Sequence, residues 1–185
     1  MIKLTGTHAR CDIALAENMI LAHVQSTEDL DQGSVGILGD YVAGEREIKS
    51  LTKPTTALIT AGISKENLVI VDAPELIYDE SRMANNQLKN FYNEKNTAVR
   101  AYRLSNIRKL RLSKEAFTNT LETDLTVGKY VDLTDATFKV TASASKTDAT
   151  IGKIVRIDNE GIATYVDSNG ALVGNVYKMY VIEVL

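Results

Sequence analysis

A mainly β protein is expected, built of small β-barrel or sandwich units with one or two short helices and an extended N-terminal arm. Three observations predict it. Short apolar runs recur between turn signals spaced about ten residues apart, the pattern of a small barrel or sandwich. Apolar and polar residues alternate with period two in Ile107–Leu112 and again from Val127 to Val140. The stretch from Tyr177 to Leu185 is largely apolar on both faces, as a central strand must be. The 185 residues, 44% hydrophobic and 24% charged, fall in the globular range. A chain of this size buries roughly 70% of its unfolded surface and needs neither disulfides nor metals to hold it together. The expected organisation is an N-terminal arm over residues 1–16, a β-rich region over 17–115 with a short helix near 82–92, and a C-terminal barrel or sandwich region over 116–185. One continuous domain over 17–185 is the alternative.

Residues 1–16 lack periodicity. Such an arm either lies on a neighbouring subunit or stays disordered, and both readings stay open. Asn18–Val24 reads as a strand apolar on nearly both faces. A polar, acidic loop follows from Ser26 to Gly33. Gly33, Gly36 and Gly39 punctuate the next strand, Val35–Leu38, and mark bulges or close backbone approach. They do not form a phosphate cradle, which would need Lys-Ser or Lys-Thr after the glycines. Glu45–Leu51 carries charge on both faces and is expected at a sheet edge, where charges block further pairing. Asn67–Val71 is a buried-strand run, and Glu75–Tyr78 a further short strand.

Asp79–Ser81 would cap a helix from Arg82 to about Tyr92, with Leu88 and Phe91 on one face. Val99–Leu104 and Ile107–Leu112 read as two strands around Ser105-Asn106. In the second, Leu110 and Leu112 point inward and Lys109 and Arg111 outward. Further strands are expected at Val127–Leu133, at Phe138–Val140, and at Ile151–Ile157 and Ile162–Val166 with a turn at Asp158–Gly161 between them. A second turn is expected at Asp167–Gly170.

The chemistry expected of such a chain is sparse. The one cysteine, Cys11, excludes an internal disulfide. With His8 and His23 as the only histidines, a Cys/His zinc site of about four ligands is excluded as well. His8, Cys11 and Asp12 are the only cluster of reactive types, and they sit where preorganisation is poorest, so no enzyme, cofactor or metal is expected. His23 is expected as a packed, hydrogen-bonded side chain. Glu28, Asp29 and Asp31 lack the glycine and distal glutamate of a calcium loop. No basic leader and no run of roughly 18 apolar residues is present, so a soluble protein made in a cytoplasm is expected.

Charge is the strongest signal. Arg82 to Lys114 holds nine cations and one acid, Glu94, a local charge of +8 in a chain of net charge −3. Three readings of this strip stay open: a solvated face, a nucleic-acid contact through phosphates, or a contact with an acidic protein surface. A pI of 5.5 argues against nucleic acid, although Phe91, Tyr92 and Tyr102 interleave with the cations as base-stacking residues would. The residues expected to bind a partner are Arg100, Arg103, Arg108, Lys109 and Arg111, on the two strands whose inner faces are apolar.

Six runs then carry a resemblance: Glu17–Ala22, Asp40 with Glu45-Arg46-Glu47, Ala73–Glu80, Asn90–Glu94, Arg100–Leu104 and Val127–Val131. In this order they resemble the capsid decoration, or head accessory, proteins of tailed bacteriophages, over about residues 17 to 185. The resemblance implies a virion structural protein, made in the host cytoplasm, that cements a capsid by binding the major capsid protein and forms a homo-oligomer there. It implies no membrane partner. A neck, tail or baseplate component is the alternative within that class, and a single-stranded nucleic-acid-binding β module the alternative outside it.

Overall fold

The computed structural model describes residues 8–16, 21–61, 63, 65–74, 91–166 and 172–185, and for 15, 21, 161–166 and 172–177 the backbone alone. Eleven strands are described: β1 (Cys11–Ala16), β2 (Leu21–Gln25), β3 (Val35–Tyr41), β4 (Ile48–Thr52), β5 (Leu68–Val71), β6 (Val99–Arg103), β7 (Ile107–Ser113), β8 (Tyr130–Leu133), β9 (Val140–Ser143), β10 (Thr150–Val166) and β11 (Leu172–Val184). One short helix, α1 (Thr56–Ala61), follows β4. The strands form a closed barrel, β2-β4-β3-β5-β6, and a six-stranded sheet, β1-β7-β11-β10-β8-β9. The protein is thus mainly β. Every pair in the sheet is antiparallel, and in the barrel only β2–β4 is parallel. Among the described residues no helix is long and apolar enough to cross a membrane.

The barrel is one uninterrupted span of chain, while the sheet takes β1 from before it and β7–β11 from after it. The expected division at 115/116 therefore falls within the sheet-forming part. The chain leaves the barrel at the 3-10 turn Leu104–Asn106. β6 and β7 look alike in sequence, and only their main-chain partners separate them: β6 pairs with β2 and β5, β7 with β1 and β11. The described part of the expected arm is an edge strand, since Cys11–Ala16 pairs with Ile107–Leu112.

Barrel and sheet share apolar core. All four residues of β5 are buried. Val69 and Val71 face the barrel interior with Val24, Leu51, Val99 and Ala101. Leu68 and Ile70 face the other way and join Leu110, Leu112, Ile154, Tyr180 and Ile182 of the sheet. Strict alternation in a run apolar at every position allows one strand to serve two cores. The loop between β8 and β9 adds a second tie. Phe138 packs into the barrel cluster, its carbonyl accepts from the Val35 N–H at 2.8 Å, and the Asp135 carboxylate accepts from the Thr56 N–H at 2.8 Å. Gly33, at φ +78°, lies where barrel meets sheet, and a Cβ there would stand 2.6 Å from Leu112 Cδ2. Only glycine satisfies both constraints.

Several expectations are corrected. β4 is no edge strand: it pairs with β2 and β3 inside the closed barrel, and the charges Glu45-Arg46-Glu47 sit in the exposed loop before it. β10 runs unbroken through Asp158–Gly161, where a turn was expected. An irregularity in register between Glu160 and Ala163 takes the place of the turn, because the same residue types serve bulges. His23 is exposed, not packed. Val127 is 58% exposed and lies before β8. α1 is unanticipated; the Thr55 hydroxyl accepts from the Leu58 N–H at 3.4 Å, a weak N-cap. The helix expected at 82–92 lies, but for its last two residues, outside the described residues, as do the strand at 75–78 and the turn at 167–170. β11 is central, as expected, with Met179 to Ile182 buried on both faces.

Two predictions follow from the shared core. Ile70→Ala should cost about 2–5 kcal/mol and shift one cooperative urea transition, monitored at probes in both halves; separate transitions would show that β5 does not couple them. Tyr180 is fully buried, and its hydroxyl has no hydrogen-bond partner among the described residues. Burial, reinforced by Glu122 and Glu115, pushes its phenol from 10.0 up to about 12. The neutral form is therefore favoured by folding, and its stabilisation is complete below pH 10 and lost as pH rises to about 12. Tyr180→Phe should leave neutral-pH stability unchanged or higher, since it removes an orphan hydroxyl, and should flatten the alkaline limb of a stability–pH curve.

Candidate functional site

The five cations expected to meet a partner do not form one strip. Arg100 and Arg103 stand on β6 of the barrel, Arg108, Lys109 and Arg111 on β7 of the sheet. Arg100 is half-buried; its Nε donates to the Asp72 carbonyl at 3.0 Å, and its guanidinium lies 5.4 Å from the centre of the Tyr102 ring. Arg103 donates through Nη1 to the Glu66 carbonyl at 2.9 Å. Both are thus held by backbone carbonyls, which orient the guanidinium without neutralising it. Arg108 is exposed. Lys109 is half-buried, in register with Glu183 of β11, an opposite-charge cross-strand pair.

Arg111 differs from the other four. It binds Asp12 of β1 through Nη2 and Glu160 of β10 through Nη1. β11 lies between β7 and β10, so the bond to Glu160 crosses it. Val181, directly opposite Arg111, and Met179, two residues along the same face, are buried on this otherwise polar side of the sheet. One guanidinium thus ties together the outer faces of β1, β7 and β10 across β11. The hydrogen bond it donates to Asp12 raises its pKa against the opposing effect of burial, and the charges of Asp12, Glu160 and Asp158 add to the rise. Asp158 is itself paired with Arg156, at 2.6 Å. The charge of Arg111 is spent inside the fold.

The aromatic residues between the cations are likewise engaged. Phe91 and Tyr102 are buried, and Tyr92 stacks on His8 with ring centres 4.9 Å apart. His8, Cys11 and Asp12 do not converge on one another. His8 Nδ1 meets Asp31 at 2.5 Å, Cys11 packs against the core beside Gly33, and Asp12 is held by Arg111. The acids of the first loop separate in the same way: Glu28 pairs with Lys53 at 2.7 Å, and Asp29 accepts from the Lys95 N–H at 2.9 Å. Among the described residues no three metal-ligating side chains come together.

A cavity of about 390 Å³ lies between barrel and sheet, lined by His8, Asp31, Lys53, Glu115 and Lys139 among others. The sequence carries no sign of it, because its walls come from five separate stretches of chain. Its acids and bases are of mixed sign and several are already paired, so it offers no field for an ion of either charge.

The contribution of Arg111 can be measured. Arg111→Ala should lower stability by about 1–3 kcal/mol, since it strands two carboxylates. Arg111→Met should cost less, because its stem still covers β11. Equal losses in urea denaturation would leave packing no share in the effect.

Comparison with protein-family models, with curated proteins and with solved structures finds no match for this chain.

Proposed function

We propose that this protein is a virion structural protein that decorates and reinforces a tailed-phage capsid by binding the major capsid protein. The proposal rests on the resemblance of an ordered set of sequence runs, from Glu17–Ala22 to Val127–Val131, to capsid decoration proteins. The geometry adds support of a physical kind. Arg100, Arg103, Arg108 and Lys109 keep net positive charge at the surface of a chain whose total is −3. They are spread over barrel and sheet, so they suit a broad, acidic protein surface better than a narrow pocket. Each exposed ion pair contributes only about 0–1 kcal/mol. On a lattice of identical sites such contacts add up through avidity. A single-stranded nucleic acid would need open aromatic faces for stacking, and the burial of Phe91 and Tyr102 supports a protein partner instead.

The test is co-sedimentation of purified protein with undecorated capsids at low salt, where association is expected; its absence would overturn the proposal. Arg108→Gln and Lys109→Gln, made singly, should each weaken association and reduce its salt dependence, read on variants that the urea transition shows to be folded. Arg111→Glu is unsuitable, because it would also break the bonds to Asp12 and Glu160. Density on the shell lattice is expected in electron micrographs of the particle, and density confined to neck or tail would move the site of action there.

A further inference from the structure

The loop between β8 and β9 is anchored at both ends in the sheet and lies across the barrel. Leu133 and Val140, buried and paired in the ladder, fix its ends. The six residues between them, Thr134–Lys139, reach the barrel through three hydrogen bonds. The Ala136 N–H donates to the Pro54 carbonyl at 2.9 Å, the Val35 N–H to the Phe138 carbonyl at 2.8 Å, and the Thr56 N–H to the Asp135 carboxylate at 2.8 Å. Phe138 is the one buried residue of the six, and it joins the barrel cluster with Leu30, Leu51 and Val71. Lys53, itself held by Glu28 at 2.7 Å, sets its ammonium 5.6 Å from the centre of the Phe138 ring, a cation–π contact.

Two features of the same six residues oppose this closed arrangement. Ala136 has φ +55°, in the left-handed region, where its Cβ crowds the following carbonyl oxygen. The Thr134 hydroxyl is buried with no hydrogen-bond partner among the described residues, so closure strips it of water and returns nothing. Both costs belong to the closed loop and disappear when it lifts. On one side the loop borders empty space rather than packed core, since Thr137, Phe138 and Lys139 are among the walls of the cavity of about 390 Å³. Nor is the loop needed to hold the halves together, because Leu68 and Ile70 of β5 join the sheet core without it. Against the two costs stand one ring and three hydrogen bonds, two of them at the exposed residues Asp135 and Ala136. Segments with so few buried contacts open locally, well below the stability of the whole chain.

We propose that Thr134–Lys139 is a releasable strap: it lifts as a unit about Leu133 and Val140 and withdraws Phe138 from the barrel while barrel and sheet stay folded. In the lifted state Ala136 regains an ordinary backbone conformation and the Thr134 hydroxyl meets water. The cavity then becomes continuous with the place that the ring vacates in the barrel cluster. The strap thus switches the junction of barrel and sheet between a sealed form and one with an apolar floor. The inference concerns this motion alone and stands whether or not the capsid reading holds.

The test is native-state hydrogen exchange of the full chain by NMR, read through the buried Val35, whose N–H donates to the strap at Phe138. The controls are Val71 in the barrel, whose N–H donates to the Ser34 carbonyl, and Ile154 in the sheet, whose N–H donates to the Lys129 carbonyl. Val35 and Ala136 should exchange much faster than both controls. Their exchange should also be insensitive to low urea, because lifting the strap exposes little surface. Two variants act on the costs of closure and leave the apolar core intact. Ala136→Gly relieves the left-handed residue and should slow exchange at Val35 by at least about two-fold. Thr134→Val removes the orphan hydroxyl and should slow it as well. Exchange of Val35 at the rate of Val71 and Ile154 would show that the loop opens only when the whole chain unfolds, and would overturn the proposal. So would a Val35 rate that neither variant changes, or a Val35 amide that opens while Ala136 stays protected.

Discussion

The structure depends on one strand being buried twice. β5 is four residues long, and its backbone belongs to the barrel alone. Yet Leu68 and Ile70 leave the barrel to pack against the sheet. A closed barrel of five short strands has little interior, and the six-stranded sheet would expose an apolar face if left alone. Each solves the other's problem. Phe138, from a sheet loop, completes the barrel cluster, and Gly33, from a barrel loop, admits Leu112 of the sheet. Burial of side chains from both directions makes one folding unit of two differently built sheets.

What the sequence reveals depends on how local each feature is. β5 and the Met179–Ile182 stretch of β11 are legible because a run apolar at every position has only one explanation in a β protein: burial on both faces. The alternation in β7 is legible for the same reason, and Leu110 and Leu112 are inside as their spacing requires. Pairing partners are not legible, since Arg100–Arg103 and Arg108–Arg111 sit a few residues apart in sequence and lie in different sheets. Asp158–Gly161 misleads because a bulge and a turn draw on the same residues, and only a neighbouring strand decides between them. The charges of Glu45–Glu47 misplace β4 at an edge because they belong to the loop before it. The cavity between barrel and sheet is invisible in sequence for a simpler reason: no local pattern encodes walls drawn from five distant segments.

The cations show how a charge count differs from a surface. A run with local charge +8 suggests one basic strip, yet its members have different tasks in the fold. Arg111 is consumed in joining three strands, and Arg100 and Arg103 are aimed by backbone carbonyls. Lys109 faces Glu183 along the ladder. What is left for a partner is weaker and broader than the sequence suggests, which suits repeated shallow contacts better than a single tight one. The Arg111 bonds also set a limit on dissecting such a surface by charge reversal, because a structural cation and an interfacial one give the same loss of binding.

The insertion of the barrel between β1 and β7 has a consequence for how the chain reaches this state. Ala16 pairs with Ile107 at the near end of the β1–β7 ladder. Closing a loop of roughly 90 residues costs about 4 kcal/mol in chain entropy. The barrel removes most of that cost in advance, because Leu21 of its first strand pairs with Tyr102 of its last. Once the barrel has closed, the ends leading to β1 and β7 emerge side by side. All barrel strands precede the sheet-forming remainder in order of synthesis, and β11, which gives β7 its second neighbour, comes last. The barrel therefore acts as a clasp, assembled early, that holds the first strand of the sheet in waiting until the final one is made.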